Sequence, residues 1–367
     1  MVKRAISLLS VTALLLLLTA SAQATGRRGA SAAAADPNAY RVTRLVSDQP
    51  GVAAQTDPNL VNAWGLVAGP STPWWVADNG TNVSTLYDRA GTLIPLVVSV
   101  PGAPTGTVFN GGSDFVVSHS GQSGPSVFMF ATESGTILGW NPSVPLPAPS
   151  TMAFKVVDRS GVGAIYKGLA IASGASRDFI YATDFHNGRV DVFDGNFHRV
   201  TRPGRFVDPH LPSGFAPFGI QAIGGHIFVT YAKQDADAKD DVQGPGLGFV
   251  DMYGIHGRFL GRVASRGALN APWGLALAPA NFGRFSGDLL VGNFGNGKIN
   301  AYAPEANGSF ERVGGLRRAN GSVISIDGLW ALEFGNGGLS GSMSSLFFTA
   351  GPDDESHGLF GKIRAAG

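Results

Sequence analysis

Six times along the chain a glycine follows a short bulky or proline-containing stretch and opens an apolar run. The copies are Ala63-Trp64-Gly65-Leu66, Pro104-Thr105-Gly106-Thr107, Tyr166-Lys167-Gly168-Leu169, Pro217-Phe218-Gly219-Ile220 and Pro272-Trp273-Gly274-Leu275, then Ile326-Asp327-Gly328-Leu329-Trp330 with its Trp displaced. After each comes a short β-rich segment, a polar turn of Asp, Asn and Gly, and a strand of alternating character. Arg189-Val190-Asp191-Val192-Phe193 shows the period of two that a half-buried strand requires. Units recurring at spacings of roughly 40–60 residues fit four-stranded propeller blades. The expected fold is all-β, a six-bladed β-propeller over residues 40–367.

The rest of the chain agrees with this reading. Its 52 Gly and 22 Pro leave little room for long helices. With no cysteine, stability must come from buried area, and neither a thiolate nucleophile nor a thiolate metal ligand is available. Three strand candidates follow Trp330, so the last blade lacks a fourth. The unassigned alternating segment Tyr40-Arg41-Val42-Thr43-Arg44-Leu45-Val46 is expected to supply it and close the ring, hiding two sheet edges.

The N-terminus has the order of a secretory signal: Lys3 and Arg4, the apolar Ala5–Ala20, then Ala22-Gln23-Ala24. A signal peptide over 1–24 and a flexible linker over 25–39 are expected, with the mature protein secreted or periplasmic and monomeric. No later run is long and apolar enough to span a bilayer. Lys+Arg 27 against Asp+Glu 26, spread along the chain, give no concentrated basic surface for nucleic acid.

Several segments are distinctive: Pro58-Asn59-Leu60-Val61-Asn62-Ala63-Trp64-Gly65, Trp75-Val76-Ala77-Asp78-Asn79-Gly80, Phe130-Ala131-Thr132-Glu133-Ser134-Gly135, Val229-Thr230-Tyr231-Ala232-Lys233-Gln234-Asp235 and Leu290-Val291-Gly292-Asn293-Phe294-Gly295. On these, the chain resembles an uncharacterised family of bacterial exported proteins described as NHL-like β-propellers. Some members carry a C-terminal PEP-CTERM sorting tail. Leu359–Ile363 is followed by no such tail, so release is expected over surface sorting. The resemblance implies the fold and brings no reaction with it.

Local catalytic motifs are incomplete. Gly292-Asn293-Phe294-Gly295-Asn296-Gly297-Lys298 has the spacing of a phosphate loop, but Ile299 stands where Ser or Thr is required and a strand pattern follows. Asp235-Ala236-Asp237-Ala238-Lys239-Asp240-Asp241 departs from a calcium loop at Lys239, Asp240 and Gly246, and reads as a solvated insertion. There is no HExxH pair and no G-x-S-x-G elbow. Trp64, Trp273 and Phe218 hold equivalent positions, as packing between blades would produce, in preference to a sugar platform.

In a propeller the starts of the innermost strands and the turns between second and third strands share one face. That places Asp78, Asn79, Glu133, Asp184, His186, Asn293, Asp353 and His357 around the channel mouth, with Lys167 and Asp327 just before their glycines. Asp and Asn are also default turn residues, whereas Glu133 and Lys167 are not. Such a carboxylate ring suits a hard cation such as Ca²⁺, with Glu133 and Asp184 as candidate ligands. The preferred expectation is a binding or scaffold protein recognising a small molecule, an extracytoplasmic protein or a glycan at the mouth. The alternative is a divalent-cation-dependent hydrolase or lyase of the lactonase-like propeller type.

Overall fold

The structure is a computed structural model and describes residues 37–174, 177–201 and 203–366. The expected signal peptide and residues 25–36 of the expected linker lie outside the described residues. Six antiparallel sheets succeed one another along the chain, as blades spanning 63–99, 104–158, 166–194, 215–265, 272–315 and 329–365. In the first, Ala63–Val67 is innermost, followed outward by Trp74–Asp78, Val83–Tyr87 and Val98–Ser99. The second carries an inserted hairpin, Val116–His119 with Gln122–Pro125. In the third, among the described residues, a single bridge between Phe193 and Arg199 stands in place of the outer strand.

Each blade's second strand is covered on both faces by its neighbours, which explains its continuous apolar run. Trp74–Asp78, Leu289–Asn293 and Leu346–Ala350 are buried at every residue. The repeated glycine has a steric cause. A Cβ on Gly106 would strike the backbone nitrogen of Leu169 in the next blade, and one on Gly219 would strike the carbonyl of Trp273. Thr105 Oγ1 donates to the Tyr166 carbonyl at 2.8 Å and Thr183 Oγ1 to that of Phe218 at 2.7 Å, stitching neighbouring blades together.

The ring closes as the strand count requires. Tyr40–Ser47 lies antiparallel on Leu359–Ala365, from Tyr40 opposite Ala365 to Ser47 opposite Leu359, with a bulge between Arg44 and Val46. Tyr40, Leu45 and Val46 are buried by it. Thr349 Oγ1 donates to the Trp64 carbonyl at 2.5 Å, joining the last blade to the first. The propeller begins before Tyr40: Asn38 Nδ2 donates to the Gly315 carbonyl at 2.9 Å, within the stretch expected to be linker.

The sixth copy of the repeat is offset from its expected place. A Cβ on Gly274 would meet the Trp330 carbonyl, so Trp330 takes the position held by Trp64, Phe218 and Trp273. Ala331, not Gly328, follows it at the opening step. Gly328 is instead a turn glycine at φ +61°, packed on the Gly351 carbonyl. Asp327 therefore does not occupy the axial position that the repeat alone implied.

Candidate functional site

The equivalent positions meet at the hub. Trp64 stacks on Trp330 at 3.6 Å between centroids, Trp330 on Phe294 at 3.9 Å, and Phe218 and Trp273 pack edge-on or tilted against them. Trp64, Phe218 and Trp330 are at most 2% exposed. These rings form an aromatic hub, and the mouth above it has a closed floor. The tryptophans spend their faces on one another, which leaves them packing rather than offering a sugar platform.

Above this floor sits Lys167, the third blade's residue at the same repeat position. Its side chain is 2% exposed, and Nζ lies 5.2 Å from the centroid of the Trp64 ring. It donates to Glu133 Oε1 at 2.5 Å and to Asp240 Oδ1 at 2.9 Å. Burial opposes the charge on Lys167, but Glu133 and Asp240 outweigh it and hold the ammonium above its ordinary pKa. The network continues around the mouth. Asn79 Nδ2 donates to Glu133 Oε2 at 3.0 Å, and Asn62 Nδ2 donates to Asn79 Oδ1 at 3.1 Å and to Glu355 Oε2 at 2.5 Å. Trp330 Nε1 donates to Asn62 Oδ1 at 3.1 Å, tying the ring to the floor.

Burial acts on two carboxyls of this cluster. Asp241 is pushed up to about 7 by burial, against the pull of Lys167 and with Glu355 adding to the rise, and its buried Oδ2 has no hydrogen-bond partner among the described residues. Burial raises Glu355 too, against its Asn62 bond and Lys167. Glu355 ends a run of three residues with left-handed backbone, Asp353, Asp354 and Glu355 at φ 54°, 49° and 65°. That conformation costs a non-glycine residue on the order of 1 kcal/mol. The strained turn is what delivers the Glu355 carboxylate to Asn62.

Of the residues expected at the mouth, Asn79, Glu133 and Lys167 come together. The others are engaged elsewhere. Asp78 is fully buried and accepts from the nitrogen and hydroxyl of Thr85 at 2.9 and 2.8 Å. Asp184 is also buried, accepting from Asn187 and Ile165 and facing Arg189 at 3.1 Å. Asn293 donates to the Ala268 carbonyl and to Asn296 of its own turn, and His186 is exposed. His357 Nδ1 lies 2.7 Å from Asp48 Oδ2. Asp327 accepts from the Asp353 nitrogen, and both line a cavity of about 400 Å³ with Arg44 and Gln49 of the outer strand region.

Glu133 and Asp184 thus do not converge: the first is held by Lys167 and Asn79, the second by Asn187 and Arg189. Among the described residues, no group of three or more His, Cys, Asp or Glu side chains is placed to hold a metal ion. The Lys167 ammonium stands where the mouth carboxylates meet.

Two proteins of Acanthamoeba polyphaga mimivirus share this chain's sequence over most of its length. Uncharacterised protein R648 is 32% identical over 338 residues, covering 88% of this chain and 80% of that one, and uncharacterised protein L690 is 33% identical over 338 residues, covering 88% and 85%. The chain belongs to the family of these mimivirus proteins. No described family profile matches it. Among solved structures, a Bacteroides thetaiotaomicron protein of unknown function superimposes with a TM-score of 0.57 at 9% identity, covering 89% of this chain and 76% of that one. A streptogramin B lyase superimposes at 0.50 and 10% identity, covering 89% and 98%. At such identities they speak for the fold alone, the propeller that this mimivirus-type family member also adopts.

Sequence reasoning missed Asn62, Asp240, Asp241 and Glu355. The signal for two of them was present, since the acidic insertion of the fourth blade stood out in length and charge. By spacing it fails as a calcium loop, and on its own it reads as solvated. In the structure it folds inward, and Asp240 reaches Lys167.

Proposed function

We propose that this family member is an exported binding protein that captures its ligand at the mouth through a cationic or hydrogen-bond-donating group. The observation that carries this reading is the imbalance above the aromatic floor: one buried ammonium, Lys167, faces Glu133, Asp240, Asp241 and Glu355. A ligand cation beside Asp241 and Glu355 stabilises their ionised forms and relieves that imbalance. The ligand is a small molecule or the basic tip of an extracytoplasmic protein or glycan. Export rests on Lys3, Arg4, the apolar stretch and Ala22-Gln23-Ala24. Sequencing the N-terminus of the protein recovered outside the cytoplasm tests it, and an intact Met1 in that fraction refutes cleavage.

The binding reading is tested with 1,4-diaminobutane and succinate, matched in length and opposite in charge. The diamine raises the melting temperature and Glu355→Gln removes that effect. Equal responses to both probes, or none, refute the reading. A second reading, acid–base catalysis in a hydrolase or lyase, is favoured by one feature: burial pushes the Asp241 carboxyl up to about 7 beside Lys167. Its divalent-cation form has no matching set of ligands among the described residues.

A further inference from the structure

The third blade differs from the other five in its outermost position. Among the described residues, only the Phe193–Arg199 bridge stands where a fourth strand would run, and a cavity of about 150 Å³ opens there against the fourth blade. Its apolar lining comes from Phe179, Val190, Val192 and Phe206. Its remaining walls include Arg189, Arg199, Arg205 and His256. It shares no residue with the mouth around Lys167.

The charges around this cavity are unbalanced. Asp191 is fully buried and serves three guanidinium groups: Arg199 through Nε at 2.9 Å and Nη2 at 2.8 Å, Arg189 through Nε at 3.1 Å, and Arg159 at 3.8 Å. Tyr166 also donates to Asp191 Oδ2, at 3.0 Å. Arg189 Nη2 lies 3.1 Å from Asp184 Oδ2 yet makes no hydrogen bond. Arg205 is exposed and has no ion pair among the described residues. Three arginines therefore face two buried carboxylates, Arg205 lines the cavity without a carboxylate partner among the described residues, and the surplus positive charge borders an apolar hollow. The arginines at the hollow are also held in place, because Asp191 fixes the forks of Arg189 and Arg199. That pre-organisation lowers the entropy cost of gripping an anion.

We propose that this cavity is a binding site for a small organic carboxylate with an apolar body of about one ring. An apolar cavity of comparable size accommodates benzene. The carboxylate pairs with the Arg199–Arg205 side while the ring enters between Val190, Val192 and Phe206. Guanidinium–carboxylate pairing supplies selectivity for the anion over its neutral isostere.

The test uses benzoate, with benzamide as the neutral isostere and benzylamine as the cation, followed by ligand-observed NMR on the full-length protein. Benzoate binds in the millimolar range and at least about tenfold more tightly than benzamide, and benzylamine does not bind. Arg205→Gln, at an exposed side chain, weakens benzoate roughly fivefold and leaves benzamide unchanged. Val192→Trp fills the hollow and abolishes both. Equal affinity for benzoate and benzamide, no saturation by benzoate below roughly 50 mM, or binding indifferent to both variants would overturn the assignment.

Discussion

Replacing Lys167 by Met removes the buried cation of the mouth while keeping most of the side chain's volume. Its ammonium is 2% exposed and contacts Glu133, whose side chain is 21% exposed, and Asp240, at 55%. Removing one partner of a buried pair costs about 3–5 kcal/mol, because the other charge is left uncompensated. The Asp240 contact is half in water and contributes little. Glu133 also keeps its Asn79 bond, so the expected loss is about 2–3 kcal/mol at pH 7. The companion variant Glu133→Gln in the Lys167→Met background removes the stranded carboxylate and recovers at least about 1 kcal/mol. Urea unfolding of the four proteins closes the cycle. The pH dependence gives an independent check. The folded pKa of Lys167 is raised, so its stabilisation is present in full below the ordinary lysine range and is lost as pH climbs through the folded value. The gap between wild type and Lys167→Met therefore narrows in strongly alkaline solution. A Lys167→Met protein within about 0.5 kcal/mol of wild type at pH 7, with no gain in the double variant, would show that Lys167 is not the keystone of the mouth.

Asp241 is raised to about 7 in the folded protein, so its contribution is present below the unfolded carboxyl range and lost as pH rises through neutrality. Relative to wild type, Asp241→Asn should gain on the order of 2 kcal/mol between pH 4 and pH 8 in denaturant titrations, and a pH-independent difference would contradict this. Gly106→Ala drives a methyl into the backbone of the next blade and should cost at least about 3 kcal/mol, or prevent folding, whereas Gly121→Ala, at an open turn, is expected to cost about 1 kcal/mol for its positive φ; equal effects on the melting temperature would remove the steric account of the repeat. Deleting 37–47 strips the outer strand from the sixth blade and exposes the partners of Tyr40, Leu45 and Val46, worth about 5–8 kcal/mol of burial. The shortened protein should melt far below the full chain, and one melting alongside it would mean that the ring does not depend on this strand.

The blades were legible in the sequence because each is fixed by a local rule that recurs. At five of the six contacts between neighbouring innermost strands a Cβ would meet the next blade, so glycine marks Gly65, Gly106, Gly168, Gly219 and Gly274 in the linear text. The sixth contact uses Ala331, and with that mark missing the nearby turn glycine Gly328 drew the repeat three residues out of register. Closure by Tyr40–Ser47 was legible for a different reason, since an alternating segment with no blade of its own met a blade short of one strand. The mouth was legible only at Lys167 and Glu133, where the side chains are poor turn formers and needed another explanation, and at Asn79, whose turn position was suitable for either role. Asp78, Asp184 and Asn293 stand in turns of the same composition, and nothing in their own segments distinguishes a carboxylate aimed at the axis from one bonded to its own strand. The distinction lies in partners remote along the chain. Asn62 and Glu355 are 293 positions apart and meet only once the ring has closed. Glu355 further depends on three successive left-handed residues, which a Pro-Asp-Asp-Glu-Ser sequence does not announce. The acidic insertion turns inward because Lys167 is there to receive it, and Lys167 can stay charged under burial because the insertion arrives. Each half of that arrangement reads as a surface loop or a misplaced lysine when taken alone, so the mouth is encoded as a property of the closed ring and not of any one blade.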